Sequence, residues 1–109
     1  MTIMNTKHKP LTVVITCTIK KGKMQMAKRE LQSVISTVLR EEEACRDIHV
    51  HEDPQNDNKL LIIEHWDNKE VFLGPHMQTP HMVEFLKVAE SFLEGQAEFS
   101  FWNEIISAA

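Results

Sequence analysis

Residues 59–66, KLLIIEHW, constrain this chain more than any other stretch. Successive side chains of a strand point to opposite faces, so Leu61 and Ile63 share one side while Leu60, Ile62 and Trp66 share the other. Apart from Glu64 and His65 the run is apolar on both faces, the pattern of a strand covered twice. The fold must therefore place this segment inside a sheet and put a layer on each side of it.

The neighbouring segments indicate what one of those layers is. LTVVITCTIK, residues 11–20, alternates, with Val13, Ile15, Cys17 and Ile19 opposite Val14, Thr16 and Thr18, and Gly22 ends it. From about Lys23 to Glu43, Met24, Ala27, Leu31, Val34, Ile35, Val38 and Leu39 recur at the spacing of one helical face. Glu41, Glu42 and Glu43 fall at the end where the helix dipole disfavours negative charge, so a solvated, fraying terminus is expected there. CRDIHVHED reads as a second strand, with Ile48 and Val50 opposite Cys45, Asp47, His49 and His51, and DPQNDN as a polar turn after it.

Beyond the apolar strand, Asp67 followed by Glu70 resembles a capping box for a short helix that Gly74-Pro75 interrupts. Thr79 as N-cap and Pro80 in the first position start another helix, whose apolar face is Met82, Phe85, Leu86, Ala89, Phe92 and Leu93 and whose stop is Gly95. AEFSFWNEI closes the chain as a fourth strand, with Phe99 and Phe101 opposite Trp102.

The order is β-α-β-β-α-β. It predicts a ferredoxin-like α+β sandwich with an antiparallel sheet, a single domain over residues 11–109 after a flexible segment 1–10. Two helices cover only one face of such a sheet, yet strands one, three and four are apolar on both. An isologous homodimer, sheet against sheet, is the economical cover for the second face.

At 109 residues the chain is one domain, small enough that any internal pocket competes with the core. Its hydrophobic fraction of 42% and charged fraction of 26% are those of a soluble globular protein. A net charge of -4, with Lys20, Lys21 and Lys23 as the sole tight basic group, argues against a nucleic-acid partner. The first ten residues lack the apolar core of a signal peptide, and no apolar run has the length of a membrane span. A cytoplasmic protein without a membrane partner is the expectation. Cys17 and Cys45 are too few and too far apart for a disulfide framework or zinc knuckle, so both are expected to be reduced packing thiols.

The chemistry concentrates in GPHMQTPHM, residues 74–82, where His76 and His81 stand five positions apart. A metal needs ligands that converge, but Thr79-Pro80 starts a new helix between the two, and spacing places no acidic or thiol partner near them; no metal is expected. In the first turn of a helix the dipole disfavours a charged His81, one turn before Phe85. That residue either packs neutral at the sheet edge or takes a proton from a phenolic or enolic substrate. His49 and His51 alternate onto a polar strand face, where exposure is expected, and Trp66 at its strand end is either core or the rim of a pocket.

ACRDIHVHEDP followed by LLIIEHWDNKEVFLGPHMQTPHMVEF resembles the signature of the antibiotic biosynthesis monooxygenase domain, and the likeness runs from about Val13 to Ile105. VLREEEAC, IEHW and QTPHM are most similar to the small bacterial quinol monooxygenase type. The resemblance implies a dimeric α+β barrel with a pocket between sheet and helices and with no metal or flavin of its own. Its enzymes oxidise a polycyclic phenol or hydroquinone directly with O₂. Such chemistry usually belongs to a cofactor, but a deprotonated, electron-rich ring can itself give an electron to O₂. The protein then need supply only a base, orientation and a dry pocket.

Carried over residue by residue, the resemblance gives the base role to His76 or His81 and substrate stacking to Trp66. It adds His51 as a pocket residue, with Phe72 and Phe85 in the apolar substrate wall. The chain departs from the pattern in three places. Haem-degrading relatives pair a Trp and a His spaced as Trp66 and His76 with an Asn on the first strand, where this chain has Thr16, Cys17 and Thr18. Ile62 and Phe72 stand where polyketide oxygenases place polar groups. Pro75 should also kink or end the helix that carries His76. A non-catalytic module for a planar ligand such as haem or a quinone, or an isomerase of a small keto-enol metabolite, are the alternative functions.

Overall fold

The computed structural model describes residues 10–109; all but the last residue of the expected flexible segment 1–10 lies outside the described residues. Strand β1 (Leu11–Thr18) leads through a turn at Gly22, which takes a left-handed φ of 80°, into helix α1 (Met24–Glu41). Strands β2 (Cys45–Asp53) and β3 (Asn56–Trp66) form a hairpin. Helix α2 (Lys69–Val71) is a single turn that runs into a π-helical stretch (Phe72–His76); helix α3 (Pro80–Ala89) and strand β4 (Glu98–Trp102) complete the chain.

The sheet order is β2-β3-β1-β4 and every pairing is antiparallel, the ferredoxin-like α+β arrangement expected from the element order. β3 and β1 are central, as their two-sided apolar patterns require. Ile15 sits opposite both Ile62 and Phe99, and Val13 opposite Glu64 and Phe101, so these side chains share the face that α1 and α3 cover. Val13, Ile19 and Trp66 on the sheet side and Ala27 and Val38 on α1 are almost fully buried between the layers. Among the described residues no helix is long and apolar enough to cross a membrane.

Several local expectations change. The turn between β2 and β3 is only Pro54-Gln55, because Asp53 already pairs with Asn56 and its carboxylate accepts the Gln55 N–H at 2.9 Å. A bulge between Cys45 and Asp47 puts Cys45 opposite Trp66 on the buried face, whereas strict alternation placed it with Asp47, His49 and His51. The cap of α2 is Asn68, whose side chain accepts the Val71 N–H at 2.9 Å; Asp67 instead takes the Arg46 guanidinium at 3.1 Å. Helix α3 ends at Ala89, before Gly95, because the next residues join the sheet: Lys20 N–H donates to Phe92 O and Glu94 N–H to Thr18 O, each at 2.8 Å. Gly95, with φ 75°, then turns the chain toward β4.

Pro75 does not end the helix that carries His76. The chain widens into the π-helical turn instead, which gives the proline ring room that an α-helical turn would deny it. His76 closes that turn and is directed inward, with 3% of its side chain exposed.

Candidate active site

Between the covered face of the sheet and helices α1 and α3 lies a cavity of about 110 Å³. Ile15 and Ile62 form its floor, Leu31, Val34 and Val38 of α1 one wall, and Met82, Phe85 and Leu86 of α3 another. Among the described residues only two ionisable nitrogen or oxygen groups reach it, the carboxyl of Glu64 and the imidazole of His76. Register sets them at one end. Glu64 lies one pleat along β3 from Ile62, about 7 Å, and Cys17, opposite Leu60, lies a further pleat the other way.

His76 is held from behind. Its Nδ1 is 2.9 and 3.0 Å from the two carboxylate oxygens of Glu42, and its ring packs on Trp66 with centroids 4.3 Å apart. With Nδ1 donating to Glu42, Nε2 is the nitrogen His76 can offer to the cavity. Burial pushes the His76 pKa below the ordinary histidine value and outweighs the opposing pull of Glu42; the second imidazole, His81, pushes the same way as burial. A neutral, oriented imidazole is the form that can accept a proton.

Glu64 is stationed beside it. Trp66 Nε1–H donates to Glu64 Oε1 at 2.8 Å. Burial raises the Glu64 pKa despite that bond, and the charge of Glu42 raises it further. The Cys45 thiol behind them is pushed up to about 12, first by burial and then by Glu64, Glu42 and Asp47, so it stays a packing thiol.

Glu42 ties the cluster together, since one of its oxygens also lies 2.7 Å from His81 Nε2. Its placement corrects the expected solvated terminus at one of three residues: Glu41 and Glu43 are exposed, but Glu42 is the C-cap of α1, with 11% of its side chain exposed. The helical phase carried that information, because Glu42 follows Val38 by four residues and stays on the buried stripe. Glu64 was similarly legible, since its parity in β3 is that of Leu60, Ile62 and Trp66.

The expected site residues therefore separate. His76, Phe72 and Phe85 line the cavity together. Trp66 does not reach it; with no exposed surface it lies under His76 and meets Phe72 edge-on at 5.5 Å, a support for the site with no free face for stacking on a substrate. His81 stands behind Glu42 and is not part of the cavity wall. His51 pairs with Leu61 and points to the opposite, open face of the sheet, so it is remote from the other five. The hollow it lines there is wider, about 550 Å³, but open and edged by Glu52, Lys59 and Glu98, a poor host for an apolar planar molecule. Among the described residues no three His, Cys, Asp or Glu side chains are grouped to hold a metal ion. The Glu42 carboxylate lies between His76 and His81, within hydrogen-bond distance of both.

The sequence matches the antibiotic biosynthesis monooxygenase family over residues 10–88. No curated protein sequence matches it. Among solved structures, a conserved protein of Methanosarcina mazei superposes with a TM-score of 0.81 at 23% identity, covering 91% of this chain and 96% of its own. A Pseudomonas aeruginosa protein gives 0.79 at 24% identity, covering 94% and 100%. A Nitrosomonas europaea protein described as a candidate antibiotic biosynthesis monooxygenase gives 0.83 at 9% identity, covering 98% and 100%. At these identities the superpositions speak for the fold alone.

Proposed function

Because this chain belongs to the antibiotic biosynthesis monooxygenase family, we propose that it oxidises an electron-rich phenol or quinol with O₂ in the cavity beside His76, without a cofactor. The observation that carries this reading is a buried imidazole, oriented by Glu42 and kept neutral by burial, at the polar end of an apolar cavity. His76 Nε2 takes the hydroxyl proton, which leaves an anion able to give an electron to O₂. Combination at a ring carbon forms the new C–O bond as a peroxide, the returning proton makes it a hydroperoxide, and loss of the ring hydrogen at that carbon breaks the O–O bond and releases water. The balance is one phenol and one O₂ to one quinone and one water. Apolar walls keep bulk water from the anion while it reacts.

Size narrows the ligand. A dry cavity of about 150 Å³ takes a benzene, so about 110 Å³ receives roughly one ring. A two-ring quinol fits once the flexible Met77 and Met82 in the wall give way. We assign the open face of the sheet to a second copy of the chain, since Val14, Leu61 and Ile63 stand there only half-buried beside Trp102, which is 61% exposed.

The test is O₂ consumption by chelator-treated protein given a reduced quinol of one or two rings, corrected for spontaneous oxidation. Uptake that depends on the protein and falls by about 10²-fold or more in His76→Ala is the expected result. Background uptake with every quinol would instead favour ligand binding without turnover.

A further inference from the structure

From solvent to the cavity runs an unbroken file of titratable side chains: Glu41, His81, Glu42 and His76. Their side-chain exposures fall in that order, 55%, 15%, 11% and 3%. Neighbours are in contact at each step. Glu41 Oε2 is 3.5 Å from His81 Nδ1, His81 Nε2 is 2.7 Å from Glu42 Oε2, and the Glu42 carboxylate is 2.9 Å from His76 Nδ1. The file ends on an imidazole that lines the cavity.

We infer that these four residues form a proton relay connecting the buried base to solvent, so that His81, Glu42 and Glu41 move the proton that His76 exchanges with a ligand. The inference deepens the oxygenase reading, in which one proton leaves the substrate and one returns. Each link has the chemistry it needs. A proton accepted at His76 Nε2 displaces the one at Nδ1 to the Glu42 carboxylate. Glu42 takes it at Oε1 while His81, whose Nε2–H bonds to Glu42 Oε2, releases the hydrogen on Nδ1 toward Glu41 or water, so one proton enters the Glu42–His81 pair as one leaves it. Both nitrogens of His81 face carboxylates, an arrangement that suits a ring holding two protons while one passes through. No electron moves, and one proton out followed by one back restores both imidazoles.

Burial is the reason a relay is needed. At 3% exposure His76 cannot hand a proton to bulk water, and the rings packed on it, Trp66 and Phe72, offer no group that takes one up. Glu64, the other ionisable group at the cavity, bonds to the Trp66 N–H, which leads no proton outward.

The experiment follows the His76 Nδ1 hydrogen by NMR of the ¹⁵N-histidine-labelled full chain and measures its exchange with water. In the native protein this hydrogen should exchange far faster than buried backbone amides of β1 and β3. His81→Gln, which keeps an amide N–H for Glu42 but cannot pass a proton on, should slow it by about tenfold or more, toward the rate set by local opening. Glu42→Gln tests the next link in the same way should the first variant not fold. An unchanged rate in a folded variant, or native exchange as slow as the core amides, would overturn the relay and leave the cluster as a clamp between α1 and α3. The readout uses no substrate, so absent O₂ uptake would count against the oxygenase reading alone.

Discussion

Glu64 couples its own protonation to folding. Its folded pKa is raised by burial above the unfolded 4.5, so between those two values the folded chain holds a proton that the unfolded chain has lost. The stability this contributes is complete below 4.5 and disappears as pH rises through the folded value. His76 has the opposite sign. Its folded pKa lies below 6.5, so its contribution is complete above 6.5 and is lost as pH falls through the folded value. A Glu64→Gln variant, neutral at every pH, should therefore remove the loss of stability that sets in as pH rises above 4.5 and keep the loss that sets in as pH falls below 6.5. Thermal unfolding followed by circular dichroism from about pH 5 to about pH 9 checks this. Parallel curves for native protein and variant would show that Glu64 titrates alike in both states. Both residues were open to discovery from phase alone, Glu64 by parity in its strand and Glu42 by its four-residue step from Val38.

At the scale of elements the site depends on how the π-helical turn meets α3. Thr79 makes that joint: its hydroxyl donates to His76 O at 2.9 Å and accepts the Met82 N–H at 3.3 Å. Thr79→Ala removes both bonds and should cost about 1 kcal/mol, while Thr79→Ser, which keeps them, should stay within about 0.5 kcal/mol. Denaturant midpoints compare the two, and equal midpoints for all three chains would show that the joint is held by packing. The cap was legible because Thr-Pro is a local signal. The π-helical turn was not, since a proline in sequence announces only a missing donor and a clash. Whether the chain breaks or widens around it depends on what the next residue can reach, here Glu42 at a distance of 34 positions.

For the whole molecule the sheet's open face sets the question of assembly. Val14, Leu61, Ile63 and Trp102 form an apolar strip there, flanked by Asp47 with His49 and His65. A second copy over this strip predicts a mass in dilute solution of twice 12.6 kDa. Ile63→Glu, at the centre of the strip, should yield a folded single chain by the same sedimentation or light-scattering measurement. A native mass of 12.6 kDa would remove the homodimer.

Local periodicity carried the architecture. Alternation in β1, β3 and β4 and the stripe on α1 are properties of neighbouring residues, so element order, the antiparallel α+β sandwich and its covered face all follow from reading along the chain. The site obeys no such local rule. A bulge that turns Cys45 inward, a helix that widens at Pro75, and a carboxylate from the end of α1 that meets imidazoles 34 and 39 residues later arise only once the layers pack. Packing is what excludes water from Glu42, His76 and His81, and buried polar groups must then find one another.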